Sequence, residues 1–362
     1  MILDISDNAF RRIMSSKYYL PIKWSGVNFE LTLEQLFNDY INSVETIHDD
    51  DEIRDISIDV EKIKSICGLI LHAVRDHLNG FPSKAYDSID KAMHILMQKQ
   101  LKIYYKSIHT ESEFEDDLDL FRVVLVDENI PYTRSRVFHT PYYLRAKIAT
   151  NRYSIAGYPS LYLANNLKLC CEEIHYNPHR SLAIAARYRL ERNINYNNTN
   201  INVIELAIKP QDFLESFEST KIRNIDASLN DPKIKEAYLL WYPLIAACSY
   251  IRPNKRDPFA AEYIIPQLLM QWARIKMAEP LSKNDKLIGI RYFSCASVKA
   301  SEMGVNYVFP VSGEYKSAEY PFCPVLMKVF KLTKPYCLNE CEDIASCERQ
   351  LERDTNIRFI DY

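Results

Sequence analysis

The sequence predicts an α+β fold with a helical N-terminal region. Apolar residues recur at steps of three and four between Ile63 and Leu78, which is the spacing of an amphipathic helix. After Phe121 the pattern changes to short runs of β-forming residues that prolines interrupt. With 362 residues, of which 47% are hydrophobic, the chain is long enough for two packed domains.

The N-terminal third is predicted to consist of helices. Residues 31–41 fit one helical face, and residues 55–106 are expected to form a helical hairpin. Gly80-Phe81-Pro82 is expected to end its first helix, with Ser83 as the N-cap of the second. We expect residues 1–120 to form a regulatory or assembly domain.

The rest of the chain is predicted to mix strands and helices. Strands are expected at 123–126, 160–163, 203–208, 288–293 and 307–311, and helices at 167–174, 234–251 and 261–278. The irregular separation of the strands indicates an α+β arrangement.

Composition excludes several classes of function. The net charge of -3 provides no overall basic surface for a nucleic-acid backbone. There are only 7 glycines and no glycine-rich phosphate loop, so side chains would have to hold any bound nucleotide. No secretory leader pattern follows Met1, and no run of about 18 apolar residues is present, so we expect a cytoplasmic protein without a membrane span. The 9 cysteines are an odd number, which favours reduced thiols over a framework of disulfide bonds.

The segment from Arg152 to Glu173 carries the most chemical information. An arginine precedes a glycine-proline turn, a strand carrying Tyr162 follows, and a helix then presents the glutamate. A guanidinium can bind phosphate oxygens in bidentate geometry, and a tyrosine ring can stack on a heteroaromatic ring. A carboxylate can bind ribose hydroxyls and stabilise positive charge at the anomeric carbon. These are the needs of N-glycosidic cleavage of a dinucleotide, although the spacing alone does not establish that reaction.

These residues resemble the first block of the RES domain family, which is named for its arginine, glutamate and serine. Arg152, Gly157, Tyr162 and Glu173 fall on that block. The chain has Tyr153-Ser154 where the family often has Trp-Asn, as a divergent branch would.

The resemblance continues over about half of the chain. Residues 262–269 resemble the helix that precedes the family's serine block, and residues 289–294 resemble the strand that ends in the serine. Ser294 is therefore the match for that serine. Residues 304–309 resemble the glycine-asparagine element that follows, and Arg136-Val137-Phe138-His139 resembles the opening strand.

The resemblance implies an ADP-ribosyltransferase-like fold, a split β-core with flanking helices, over residues 121–315, with a C-terminal extension over 316–362. It implies cleavage of NAD⁺ to nicotinamide and an ADP-ribose product, with water or phosphate as acceptor and without a metal. Family members are typically bacterial toxins paired with an antitoxin. We therefore expect a growth-arrest or anti-phage effector with a cognate antitoxin or defence-system partner, and the N-terminal domain could also make a homo-oligomer.

The resemblance also implies roles for individual residues. Arg152 would hold the phosphates or the nicotinamide end, and Tyr162 would stack on nicotinamide. Glu173 would bind the ribose 2′-hydroxyl and stabilise the cation, and Ser294 would orient the dinucleotide. Arg136 and His139 are further candidates for contact with it.

Alternatives remain open at this point. The ADP-ribose could be transferred to a protein or nucleic acid, or the chain could be a catalytically silent nucleotide-binding partner. Glu172 is the alternative to Glu173, and His139 could be a structural histidine. Arg134, Arg145 and Lys147 could attract a diphosphate or form solvated surface.

The C-terminal cysteines do not predict a zinc site. Only Cys337 and Cys341 have the spacing of a zinc-binding pair, and no second such pair exists.

Overall fold

The computed structural model describes residues 5–48, 59–98, 105–107, 119–127, 131–190, 200–213, 229, 232–278, 285–311 and 321–360. The chain packs as two compact units. The first draws on 1–104, 208–272 and 295–297, and the second on 105–207, 273–294 and 298–362. Packing thus groups the N-terminal helices with a later part of the chain. The boundaries expected at 120 and 315 stay a prediction.

The described helices and strands follow one another irregularly. The helices are α1 (Ile5–Ile13), α2 (Phe29–His48), α3 (Val60–Leu78), α4 (Pro82–Leu96), α5 (Arg134–Val137), α6 (Leu167–Glu173), α7 (Pro232–Ala247), α8 (Ile264–Ala278), α9 (Val298–Ser301), α10 (Pro324–Val329) and α11 (Ile344–Arg353). The strands are β1 (Tyr105–Ser107), β2 (Asp119–Val126), β3 (Ser160–Ala164), β4 (Leu182–Leu190), β5 (Asn200–Leu206), β6 (Asp285–Phe293), β7 (Val305–Pro310), β8 (Phe330–Leu332) and β9 (Tyr336–Cys337). This mixture confirms the predicted α+β class with a helical N-terminal region.

The first unit is organised around α3. Its predicted apolar face is buried from Ile63 to Val74, whereas Leu78 at the end of the helix is exposed. Asp59 caps the helix, because its carboxylate accepts a hydrogen bond from the backbone N–H of Lys62 at 3.0 Å. Helix α3 packs against α2, α4 and α7.

The predicted helical hairpin is confirmed as α3 and α4, but two of its details are wrong. Gly80 lies between the helices with φ +83, a conformation that glycine adopts without strain. Ser83 is not the N-cap. Phe81 holds that position and Pro82 begins the helix, where a missing N–H has no intrahelical partner to lose. The hairpin also does not continue to residue 106, since Tyr105–Ser107 forms β1 and pairs with β5.

The second unit contains a mixed sheet. Its described strands run in the order β1-β5-β6-β7-β3-β2-β4-β8, and β9 pairs with β4. Strands β5 and β6 are parallel, and the other described pairs are antiparallel. The predicted strands near 123–126, 160–163, 203–208, 288–293 and 307–311 correspond to β2, β3, β5, β6 and β7. The predicted helices near 167–174, 234–251 and 261–278 correspond to α6, α7 and α8 with its preceding turn.

The sheet has a weak seam between β2 and β3. These strands share one register pair, Phe121 with Ala164. By contrast, β2 pairs with β4 from Asp119 to Val126, and β3 pairs with β7 from Ser160 to Ala164. Two well-paired groups of strands therefore meet at a single point.

One face of the sheet covers the apolar core of this unit. Leu161 and Leu163 of β3 belong to this core, together with Tyr188 of β4 and Phe309 of β7. The expected C-terminal extension is part of the same structure, because β8 and β9 pair with β4.

The opening strand expected at Arg136-Val137-Phe138-His139 is wrong. The first two residues of this segment, Arg136 and Val137, belong to the single-turn helix α5. Val137 and Phe138 are both buried. Successive side chains of a strand point to opposite faces, whereas this turn lets two neighbours enter one core. Tyr188 anchors the turn by donating its hydroxyl hydrogen to the carbonyl of Val137 at 2.6 Å.

In the part of the chain that the structure describes, no helix combines the length and apolar character needed to cross a membrane.

Candidate active site

Three neighbouring strands carry polar side chains on one face of the sheet. Ala164 of β3 lies opposite Asn306 of β7, which lies opposite Tyr292 of β6. Directly opposed residues in antiparallel strands point to the same face, as do residues two apart along a strand. Tyr162 therefore shares this face, which we call the polar face. It is the reverse of the face that carries Leu161 and Leu163.

Helix α6 brings Glu173 to the polar face. The helix begins beside the end of β3, where the side chain of Asn166 accepts a hydrogen bond from the backbone of Leu169 at 2.8 Å. Glu173 is its last residue. The Glu173 Oε1 atom accepts a hydrogen bond from the side-chain amide of Asn306 at 2.6 Å. Among the described residues, Glu172 has no corresponding side-chain bond, so the geometry favours Glu173 of the two.

A tight turn adds two further groups to the polar face. Asn151 and Ser154 exchange backbone hydrogen bonds of 3.2 and 3.1 Å around Arg152 and Tyr153. The Ser154 hydroxyl lies 2.5 Å from the hydroxyl of Tyr162. The Tyr153 ring lies 4.6 Å from the ring of Tyr292, measured between centroids. Tyr153-Ser154, the departure from the family pattern, thus contacts two strands of the sheet.

Arg152 lies at the tip of this turn and is half-buried. The chain then reverses toward β3 through Gly157, whose φ of +76 strains any residue with a side chain. The arginine, the glycine and Tyr162 of the first block are therefore placed by one turn and one strand.

Ser294 follows the last residue of β6 and is fully buried. The residue before it, Phe293, lies opposite Val305 at the start of β7. The backbone N–H of Asn165, just before the start of α6, donates a hydrogen bond to the carbonyl of Val305 at 3.0 Å. Ser294 and the start of α6 therefore lie at the same end of the sheet.

His139 does not join this group. Its Nδ1 atom lies 2.9 Å from the carbonyl of Thr140, and its Nε2 atom accepts a hydrogen bond from the backbone N–H of Cys323 at 2.8 Å. Burial lowers the pKa of His139 from 6.5 to about 4, so the ring is neutral. Both nitrogens are engaged by the backbone, which supports the structural alternative for this histidine.

Arg136 is exposed on α5, which packs against β2 and β4. The described contacts do not connect it with the polar face on β3, β6 and β7. We therefore do not carry it into the proposed site.

Sequence inspection missed Arg122, which lies at the seam. Its Nη1 atom donates to the carbonyl of Tyr162 at 3.0 Å, and so it bridges from β2 to β3 beside their single register pair. Its Nε atom is buried without a hydrogen-bond partner among the described residues. Desolvation lowers the pKa of this guanidinium. No sequence motif indicated Arg122, because its importance depends on how β2 and β3 are paired in the sheet.

Asn306 was also missed as a site residue, although it lies in the 304–309 block.

Two cysteines of α6 are poor candidates for a nucleophile. Burial raises the pKa of Cys170 and raises that of Cys171 to about 12, so both remain neutral thiols at ordinary pH.

Among the residues described, no three His, Cys, Asp or Glu side chains are grouped so that they could hold a metal ion.

Comparison with known proteins finds a similar chain in a bacterium. The chain is 25% identical over 325 residues to "Putative toxin YopC" of Bacillus subtilis (strain 168), a match that covers 87% of this chain and 67% of that protein. No family model matches the chain. No solved structure matches it. The similarity therefore extends over most of this chain.

Proposed function

We propose that this protein cleaves the N-glycosidic bond between nicotinamide and ribose in NAD⁺, and that it is a bacterial toxin that depletes NAD⁺. The observation that carries the proposal is the hydrogen bond of 2.6 Å between Asn306 and Glu173. It holds a carboxylate over a sheet face that also presents a tyrosine. The name of the Bacillus relative supports the toxin role.

Glu173 has the chemistry that the reaction needs. Asn306 occupies its Oε1 atom, and its Oε2 atom has no hydrogen-bond partner among the described residues. That second oxygen would accept a hydrogen bond from a ribose hydroxyl. The negative charge of the half-buried carboxylate would stabilise the positive charge that develops at C1′ as nicotinamide leaves.

The bond changes balance without a further reagent. The C1′–N bond breaks, and nicotinamide leaves as a neutral base with the electron pair of that bond. Water then bonds to C1′ through its oxygen and loses a proton to solvent or a nearby base, or a phosphate dianion bonds through an oxygen that carries no proton. Transfer to a protein or nucleic acid would differ only in the nucleophilic atom that bonds to C1′.

Tyr162 would stack on the nicotinamide ring. Its hydroxyl lies 2.5 Å from that of Ser154, which restricts the orientation of the tyrosine before a substrate binds. A side chain that is already ordered loses less entropy on binding. Arg152 would reach the phosphates from the adjacent turn, and Ser294 would orient the dinucleotide from the end of β6.

We also propose an ADP-ribosyltransferase-like fold for this unit. The support is the seam between β2 and β3, where one register pair joins two well-paired groups of strands. A split β-core consists of two groups of strands that are divided in this way. Arg122 would keep β3 aligned with β2 across it, and so act as a positioning residue for Tyr162.

The test is incubation of the purified protein with NAD⁺, with and without phosphate, and mass spectrometry of the products. We expect nicotinamide release by the wild-type protein and by Glu172→Gln, and none by Glu173→Gln. Glutamine preserves the size of the side chain and its capacity to hydrogen-bond, so equal melting temperatures would exclude misfolding. The ADP-ribose product identifies the acceptor, and mass added to a protein or nucleic acid would identify a transferase.

A second arm measures growth and NAD⁺ content in bacteria that express each protein. We expect the wild-type protein to arrest growth and deplete NAD⁺, and Glu173→Gln to do neither. Release by Glu173→Gln but not by Glu172→Gln would place the catalytic carboxylate one residue earlier. A wild-type protein that leaves NAD⁺ intact in both assays would contradict the proposed activity.

A further inference from the structure

Two arginines from distant parts of the chain gather around Tyr158, within the second unit. The guanidinium carbon of Arg274, on α8, lies 3.6 Å from the centroid of the Tyr158 ring. The guanidinium carbon of Arg145 lies 5.5 Å from the same centroid and 5.3 Å from that of Tyr142. We call Tyr142, Arg145, Tyr158 and Arg274 the arginine cluster.

The two positive charges in the arginine cluster are not compensated. No carboxylate of the described chain forms an ion pair with either arginine. The Arg145 Nε atom is buried and has no hydrogen-bond partner among the described residues. Desolvation and the charge of Arg145 both lower the pKa of Arg274, so the charged form of Arg274 is less favourable here than in water.

Other arginines of the same unit are paired. Arg187 and Arg189 bind Asp119 at 2.9 and 3.2 Å, and Arg291 binds Glu205 at 2.5 Å. Arg134 donates to the carbonyls of Leu332 and Asn356 at 2.9 and 2.8 Å. The fold therefore supplies at least one acceptor to each of these four guanidinium groups, and the carbonyl of Tyr162 to that of the buried Arg122, whereas no described residue accepts a hydrogen bond from the guanidinium of Arg145 or Arg274. The missing counter-charge at the arginine cluster indicates a ligand.

We propose that Arg145 and Arg274 bind a phosphate group. A guanidinium presents parallel N–H donors that match two phosphate oxygens, and two guanidinium groups match the charge of a phosphate dianion. A single carboxylate would leave one positive charge without a partner. Both arginines are half-buried, so a small anion can reach them from solvent while part of their hydration is already removed.

This phosphate site is separate from the polar face. Tyr142 belongs to the apolar core with Leu161 and Leu163, and Tyr158 packs against the same core. Leu161 and Leu163 lie on the face of β3 opposite to Tyr162, because successive residues of a strand alternate. The inference therefore stands without the proposed NAD⁺ cleavage, and phosphate binding can be measured without any turnover.

The test is isothermal titration calorimetry of the full chain with inorganic phosphate and with ribose 5-phosphate, at matched ionic strength. The variants are Arg145→Gln and Arg274→Gln. Arg180→Gln, which changes an exposed arginine in the same unit, is the matched control. We expect binding by the wild-type protein and by Arg180→Gln. Each cluster variant should bind about tenfold more weakly or worse, since it loses the charge-assisted hydrogen bonds of one guanidinium.

The two ligands distinguish the source of the phosphate group. Tighter binding of inorganic phosphate would assign the site to the free ion, and tighter binding of ribose 5-phosphate would assign it to an organic phosphate. Either result supports the proposal if the cluster variants lose the binding. Equal binding by all four proteins, or no binding of either ligand by the wild-type protein at millimolar concentration, would overturn it.

Melting temperatures separate a ligand site from a purely structural role. Without phosphate, Arg274→Gln should melt no lower than the wild-type protein, because the substitution removes a repulsive charge. With phosphate, the wild-type protein should gain stability and Arg274→Gln should not. An Arg274→Gln protein that melts well below the wild-type protein without phosphate would show that the arginine supports the fold. Arg274→Lys, which keeps the charge but loses the bidentate geometry, would then test the site in a folded protein, and wild-type phosphate affinity in that variant would overturn it.

Discussion

The side-chain amide of Asn306 donates a hydrogen bond of 2.6 Å to the carboxylate of Glu173. The bond joins the last residue of α6 to the middle of the polar face, across 133 positions of the chain. Neither residue could hold this position alone, because a carboxylate at a helix end would otherwise be free to turn toward solvent. The orientation of the proposed catalytic group therefore depends on a strand that lies far away in sequence.

Replacement of Asn306 should impair the site, because the Glu173 carboxylate then loses the hydrogen bond that orients it. Asn306→Ala removes the donor, and we expect kcat/KM for NAD⁺ to fall about tenfold, since a hydrogen bond to a charged group contributes about 1.5–3 kcal/mol. Asn306→Asp should lose more, because it sets two carboxylates against each other. Steady-state kinetics measure both, and a wild-type rate in Asn306→Asp would contradict the role of this bond.

The pair of hydroxyls at Tyr162 and Ser154 should be energetically coupled. Tyr162→Phe and Ser154→Ala each remove one side of a contact of 2.5 Å, and each should cost about 1 kcal/mol of unfolding free energy. The double variant should cost less than the sum, which denaturant titrations of all four proteins can measure. In NAD⁺ turnover, Tyr162→Phe should retain more activity than Tyr162→Leu, because phenylalanine keeps the ring. Equal activity in these two variants would argue against stacking.

Gly304 should tolerate no side chain. A Cβ atom there would lie 2.2 Å from the Asn165 Oδ1 atom and 2.4 Å from the Asn166 Nδ2 atom. Asn166 caps α6, so Gly304→Ala should displace the start of the helix that carries Glu173 and destabilise the protein by about 1–3 kcal/mol. Gly68→Ala is the matched control. A Cβ atom at Gly68 meets nothing within 4 Å inside α3, and this variant should gain about 0.5–1 kcal/mol. Chemical denaturation measures both, and a stable Gly304→Ala protein would show that the asparagines can move.

His139 should make the fold sensitive to acid. Its pKa is lowered from 6.5 to about 4 by burial, so the unfolded chain takes up a proton in this range of pH that the folded chain does not. The contribution to stability is therefore complete above about pH 6.5 and is lost as the pH falls toward about 4, by about 3 kcal/mol in all. Unfolding free energies across this range should fall more steeply for the wild-type protein than for His139→Gln. Parallel curves would exclude the histidine as the cause.

Local patterns predicted many of the elements. The three- and four-residue spacing of apolar residues located α3, and β-branched and aromatic runs located β2, β3 and β5. These signals are local, because each helix or strand needs an apolar face whatever its partner is. The turn at Gly80 was also predicted, since a positive φ favours glycine.

The misplaced elements were those that a neighbour decides. Residues 136–139 have the composition of a strand, yet they start in a helical turn because the core beside Tyr188 accepts both Val137 and Phe138. Strands β8 and β9 are short, and their pairing with β4 supplies what their own sequence lacks.

For the candidate site, the sequence by itself determined the segments: a turn after Arg152, a strand with Tyr162, a helix that ends at Glu173 and a strand that precedes Ser294. The tertiary structure alone decided which side chains meet. Glu173 bonds to Asn306, and Arg122 bridges the seam between β2 and β3. Both nitrogens of His139 bond to the backbone, and Arg274 lies close enough to Arg145 to be affected by its charge. The physical reason is that secondary structure follows from contacts between near neighbours in the chain. A site follows from strand order and register, which residues far apart in the sequence determine together.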